Sequence, residues 1–182
     1  METKEGPERN CGGNFLSPRI INYNRKLVIK ILAGEATIAN ARQVFKVFID
    51  DDFNKWGLNK PGIATKEICV DVYENVSDGN FWEIFQALPG TWDQKWLSQN
   101  QIIDFCEMLS FCLRREEHST MFLIKGDEKL PINKDIPQEN LFVVQVRVRP
   151  GGLHVRLSQL TNRALWHGTS AHRIVVPQIN RF

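Results

Sequence analysis

The chain has 182 residues, 42% apolar and 24% charged, with a formal net charge of +2, an ordinary composition for a globular protein. That length accommodates one domain with a proper core. No apolar run approaches the ~18 residues of a membrane span, and Met1–Pro7 holds no apolar signal segment, so a cytoplasmic setting without membrane contact is expected.

Residues 1–14 are polar and carry Gly6, Pro7, Gly12 and Gly13, which reads as a disordered leader. One α+β domain is expected over 15–182. Its first segment, Asn24 to Leu32, fits helix or strand, because Leu27, Val28, Ile31 and Leu32 also share one helical face; helix is preferred. Phe45, Phe48, Ile49, Phe53 and Trp56 then recur at the spacing of one helical face, which predicts a helix over 39–56. Thr37 or Asn40 is its candidate cap. Gly57 supplies a left-handed stop, with Leu58 folding back on the last turn.

Lys66 to Tyr73 alternates strictly and predicts a strand with Ile68, Val70 and Val72 inward. Phe81 to Leu88 reads as a short helix closed by Pro89-Gly90. Ser98 and Gln101 form a capping box flanked by Leu97 and Ile102 as a hydrophobic staple. They start a helix over 99–115 with Ile102, Phe105, Cys106, Leu109 and Cys112 or Leu113 buried. The rest reads as strand: Thr120–Lys125, Leu141–Arg149, Leu153–Leu160 and Arg173–Val176. A long polar loop is expected at 126–140. The fold class expected is α+β: an antiparallel sheet of about four or five mostly C-terminal strands on two or three helices.

Charge is unevenly spread. All 21 acids lie in residues 1–139, and the 43 residues after Glu139 carry six arginines, three of the four histidines and no lysine. The strand pair 141–149 and 153–160 places part of that charge. Its turn, Arg149-Pro150-Gly151-Gly152, has proline at the second position and glycine where a positive φ is needed. A one-residue slip would oppose valines to arginines. Pairs whose numbers sum to 301 avoid this, setting Val146 against Val155, Arg147 against His154 and Gln145 against Arg156. Arg147, Arg149, His154 and Arg156 then share one face, where like charges repel unless an anion covers them.

Arginine's planar fork suits phosphate, so a nucleic-acid backbone, another polyanion or an acidic protein is the partner expected. Four neutralised phosphates would weaken binding roughly a hundredfold between about 50 and 200 mM salt. Two other readings stay open: the acidic body, with Asp50-Asp51-Asp52 among its candidates, covers the arginines, or strands simply disfavour acids. The outward set Val143, Gln145, Arg147, Arg149, His154, Arg156 and Ser158 has no Phe, Tyr or Trp, which argues against base stacking there.

No phosphate loop, dinucleotide fingerprint, nucleophile elbow, C-x-x-C or H-E-x-x-H is present. Neither cofactor nor metal is expected. His167 and His172 lack a nearby third ligand. The triplet at 50–52 reads as a solvated acidic face, since consecutive helical carboxylates point about 100° apart. Cys106, paired on paper with His118, sits on a buried stripe where thiols are inert. Cys11, Cys69, Cys106 and Cys112 read as reduced thiols. The five tryptophans read as packing, or, for Trp92 and Trp96, as an interaction patch. A non-enzymatic binding module is therefore the leading reading, an assembly module docking through tryptophan-bearing helices the second, and an enzyme the third.

Several blocks form a recognisable set: Ala41-Arg42-Gln43-Val44-Phe45, Asp52-Phe53-Asn54-Lys55-Trp56-Gly57, Ala64-Thr65-Lys66-Glu67, Gln101-Ile102-Ile103-Asp104-Phe105-Cys106-Glu107, Met121-Phe122-Leu123-Ile124-Lys125 and Arg173-Ile174-Val175-Val176-Pro177-Gln178. Together they resemble an uncharacterised family of small hypothetical proteins from uncultured, small-genome bacteria, over roughly residues 40–178. The resemblance implies a bacterial cytoplasmic setting. It brings no activity, catalytic residue or cofactor, and the polar segment 126–140 departs from the family's tighter strand connection.

Overall fold

The computed structural model describes residues 17–115, 118–126 and 140–179. The predicted leader at 1–14, most of the predicted loop at 126–140, Cys11 and Arg181 lie outside them. Eight strands form one mixed sheet: β1 (Arg19–Ile20), β2 (Leu27–Ile29), β3 (Phe48–Ile49), β4 (Ile68–Glu74), β5 (Ser119–Lys125), β6 (Leu141–Arg149), β7 (Gly152–Gln159) and β8 (Arg173–Pro177). Their order is β1-β4-β8-β5-β6-β7-β3, with β2 also on β4. The α-helices are α1 (Asp52–Lys55), α2 (Phe81–Gln86) and α3 (Gln99–Met108). No helix among the described residues is long and apolar enough to cross a membrane.

This corrects the expected antiparallel sheet of four or five strands. The pairs β5–β8 and β3–β7 are parallel, and three of the additional strands come from the N-terminal third. Leu27–Ile29, read as helix, instead pairs with Ile68–Val70 of β4. The region read as one helix over 39–56 is broken. A 3-10 turn occupies Ile38–Asn40, β3 follows, and only α1 is α-helical. Of the five side chains that periodicity set inward, Phe45 and Phe53 are at most 1% exposed, Ile49 and Trp56 are half-buried, and Phe48 is 43% exposed. The backbone is decided by the open edge of β7: Val47 N–H donates to Leu153 and Asp50 N–H to Val155. Pairing an otherwise empty sheet edge outweighs helix propensity that the β-branched Val44, Val47 and Ile49 already lower. The stop is as read: Gly57 has φ +69° and Leu58 N–H returns to the Phe53 carbonyl.

The α3 start follows its sequence signal. Gln101 N–H donates to Ser98 Oγ and Ser98 N–H to Gln101 Oε1, while Leu97 and Ile102 are fully buried. The helix ends at Met108, short of 115, and a 3-10 turn at Ser110–Cys112 completes the segment. Helix α2 has a box of its own, between Asn80 and Glu83.

Strand alternation fills two cores. Val70, Val72, Phe122, Ile124, Phe142, Val144, Val146 and Val175 face a first cluster under α3, the 38–45 segment and Phe53. Tyr73, Met121, Leu123, Leu141, Val143, Ile174 and Val176 face a second under α2, with Trp82, Trp92, Trp96 and Trp166 packed at its margin. A sheet covered on both faces reads as near-continuous apolar strands, which explains the runs at 121–124 and 141–144. Val143, expected to point outward, is therefore fully buried. The second layer stops short of the far halves of β6 and β7, and that uncovered part of the sheet holds the arginines.

Candidate functional site

The register of β6 and β7 follows the sum of 301 throughout, from Val143↔Ser158 to Arg149↔Gly152. Pro150 and Gly151 (φ +90°) make the turn, the proline-then-glycine pattern of a type II turn. Arg147, Arg149, His154 and Arg156 thus lie on the same sheet face, beyond the edge of the second core. The Arg156 side chain is exposed and makes no hydrogen bond or ion pair among the described residues. Arg147 and Arg149 are half-buried and have interactions of their own. One is the bond from Arg147 Nε to Ser119 Oγ at 2.9 Å.

The imidazole of His154 is held below its ordinary pKa, first by burial and then by the charges of Arg156, Arg147 and Arg149; Asp50 opposes them. It is neutral at pH 7, so the face presents three arginines and a neutral ring rather than four cations. Gln145 is buried and donates to Ser158 Oγ at 2.9 Å, which removes both from the exposed set.

Two members of the acidic triplet have partners of their own. Asp50 accepts N–H groups of Asp52 and Leu157 at the β7 edge, and Asp52 pairs with Lys55. The charge of Asp50 also reaches His154.

Sequence reasoning missed the support beneath the arginines. His172, 5% exposed, accepts the Ser119 N–H at Nδ1, 3.0 Å away, so Arg147, Ser119 and His172 form one chain of contacts. His118 and Trp166 flank the His172 ring edge-on at 5.5 and 5.0 Å. Burial, then His118, Arg147 and Arg114, depress the His172 pKa to about 4. No spacing in the sequence links residues 53 positions apart. The only available signal was that His172 immediately precedes a strand.

Phe48 was also missed at this place. It pairs with His154 across β3 and β7, its ring 4.7 Å from the imidazole and 43% exposed. The hairpin has no outward aromatic of its own, but a neighbouring strand brings one.

His167 and His172, weighed as a ligand pair, have separate partners. His167 faces Asp78 at 3.2 Å, and Asp78 is held below the usual carboxylate range by the Gly168 N–H and then by His167. Gly168 fits because a Cβ there would lie 2.5 Å from the Ser77 nitrogen and the Val76 carbonyl carbon. Gly168→Ala is expected to lower unfolding free energy by about 1–3 kcal/mol, the usual range for forced overpacking. A urea titration beside the parent protein checks it.

Arg163 is exposed in the loop after β7. Arg173 turns to the first-core side and donates to the carbonyls of Cys112 and Leu113, so neither joins the face. Cys106 is buried, and burial pushes its thiol well above the ordinary value. Trp92 packs on Trp82 at 4.7 Å with the rings tilted by 32°, and the buried Lys95 ammonium lies 5.0 Å from the Trp92 ring and donates to the Phe85 carbonyl. Trp96 packs on the same cluster, and its indole N–H is buried with no partner among the described residues. Both are half-buried with that side turned to the second core. Trp96 also lines a cavity of about 430 Å³ with Leu58, Pro61, Thr65 and Ile124. No group of three metal-ligating side chains occurs among the described residues.

A scan of known family models and searches of characterised proteins and solved structures give no match to this chain.

Proposed function

We propose that the protein is a binding module whose sheet face of Arg147, Arg149, Arg156 and His154 holds a polyanion, a nucleic-acid backbone before others. The observation that carries this reading is Arg156, exposed and unpaired among the described residues, on a face with two further arginines. Arg147 and Arg149 need not be free, because a guanidinium has five donors and a single partner leaves others for phosphate.

Three arginines define the expected salt response. Neutralising about three phosphates gives a log–log slope of about −2 on a single strand and −2.7 on a duplex. Affinity is then expected to fall about twenty- to fortyfold between about 50 and 200 mM salt. That fall is smaller than four cations would give, because His154 is neutral. Fluorescence anisotropy with labelled oligonucleotides measures it, and binding insensitive to salt, or none at about 50 mM, refutes the reading.

His154 adds a pH dependence. A bound phosphate favours the imidazolium, raising the His154 pKa in the complex above its value in the free protein. Protons are then taken up on binding, so affinity is expected to rise as pH falls from about 7 to about 5. His154→Gln is expected to flatten that rise in the same anisotropy assay.

A further inference from the structure

We infer that the ligand of this face is single-stranded nucleic acid, with Phe48 and His154 forming a stacking step for one unpaired base beside the arginines. The inference rests on the polyanion reading and goes further, because it specifies which polyanion.

Strand geometry supplies the first part of the argument. Residues directly opposite on paired strands point to the same side. Phe48 opposite His154 therefore lies on the arginine face, while Ile49 opposite Val155 packs into the first core. The face thus runs from Arg147 and Arg149 on β6, through His154 and Arg156 on β7, to Phe48 on β3. With strands about 4.8 Å apart, that is a row about 10 Å wide, with guanidinium groups at one side and an aromatic pair at the other.

Ring geometry supplies the second. Phe48 meets His154 edge-to-face, at 74° and 4.7 Å, yet remains 43% exposed. An aromatic ring packed for stability alone on an uncovered sheet gains most by lying flat over its neighbours. This one keeps much of its surface in water at the end of a row of cations. His154, held neutral at pH 7 by burial and the surrounding arginines, behaves as a second flat aromatic rather than a further charge.

The ligand class follows. In a duplex the bases are stacked on one another and an exposed ring beside the backbone has no partner. In a single strand the bases are free, and an aromatic beside phosphate-binding arginines holds base and backbone together. Asp50, which follows β3 and whose charge reaches His154, disfavours a further phosphate at that end. The base is therefore expected on the Phe48 side and the phosphates on the Arg147–Arg149 side.

The test compares Phe48→Ala with the parent chain on two probes. One is an oligothymidylate of about a dozen nucleotides, with oligouridylate alongside to tell DNA from RNA. The other is inorganic polyphosphate, which has charge and no base. Phe48→Ala is expected to weaken the oligonucleotide about tenfold and leave polyphosphate unchanged, while Phe48→Trp restores oligonucleotide binding. Equal losses on both probes, or a loss on neither, overturn the stacking step. If Arg156→Glu changes neither probe, the polyanion reading has failed, and that outcome is distinct from failure of the base step alone.

Discussion

Reversing two charges, Arg149→Glu with Arg156→Glu, is expected to weaken nucleic-acid binding about a hundredfold or more at low salt while leaving the fold intact. Each arginine that donates to a phosphate contributes a charge-assisted hydrogen bond, whose removal costs about 1.5–3 kcal/mol, roughly tenfold or more in affinity per site. The two positions are chosen because their side chains lie outside both cores. Arg147 is the poorer target, since its guanidinium also holds Ser119 and its loss would disturb the layer beneath. Anisotropy at about 50 mM salt, with circular dichroism as the folding check, reads the outcome. Unchanged binding in the folded double variant removes the arginine face from the account.

Acid is expected to destabilise the protein through His172 before most carboxylates titrate. The group has a folded pKa of about 4 against about 6.5 in an unfolded chain. Where the unfolded state binds more protons, stability falls with falling pH. The contribution of His172 is thus complete above about pH 6.5, is lost progressively down to about pH 4, and amounts to about 3 kcal/mol over that window. The structural reason is direct. A protonated Nδ1 no longer accepts the Ser119 N–H, and an imidazolium there stands against His118, Arg147 and Arg114. His172→Gln keeps a side-chain acceptor and removes the proton site, so its stability is expected to vary less with pH by about that amount. Urea titrations of both proteins from about pH 7 to about pH 4 check it, and parallel curves contradict the assignment. Because Ser119 also holds Arg147, protonation of His172 in the folded protein, near pH 4 and so below the range of the His154 effect, is expected to loosen the arginine face.

What was legible in the sequence was local or set by parity. The α3 capping box is a four-residue signal whose partners are neighbours in the chain, and it forms as read. The β6–β7 register follows from one rule, that valines avoid arginines across a two-residue turn. Residues 39–56 failed for the opposite reason. Their apolar spacing satisfied a helix, but the partner that makes β3 a strand is β7, more than a hundred residues away. That distance also hid Phe48 from a hairpin read in isolation, and a separation of 53 residues hid the contact of Ser119 with His172. Val143 misled because strict alternation implies one wet face, whereas α2 and the tryptophans cover the near half of that face. The near-continuous apolar run at 141–144 was the available sign of a second core.

The central claim is that the ligand seats on the uncovered half of the sheet, and backbone amide shifts in the labelled full-length chain test it most directly. On titration with a single-stranded oligonucleotide at low salt, shifts are expected to concentrate at 147–149, 154–158 and Phe48, and to fade as salt is raised. Shifts centred on Trp82, Trp92 and Trp96, or none at saturating oligonucleotide, would contradict it.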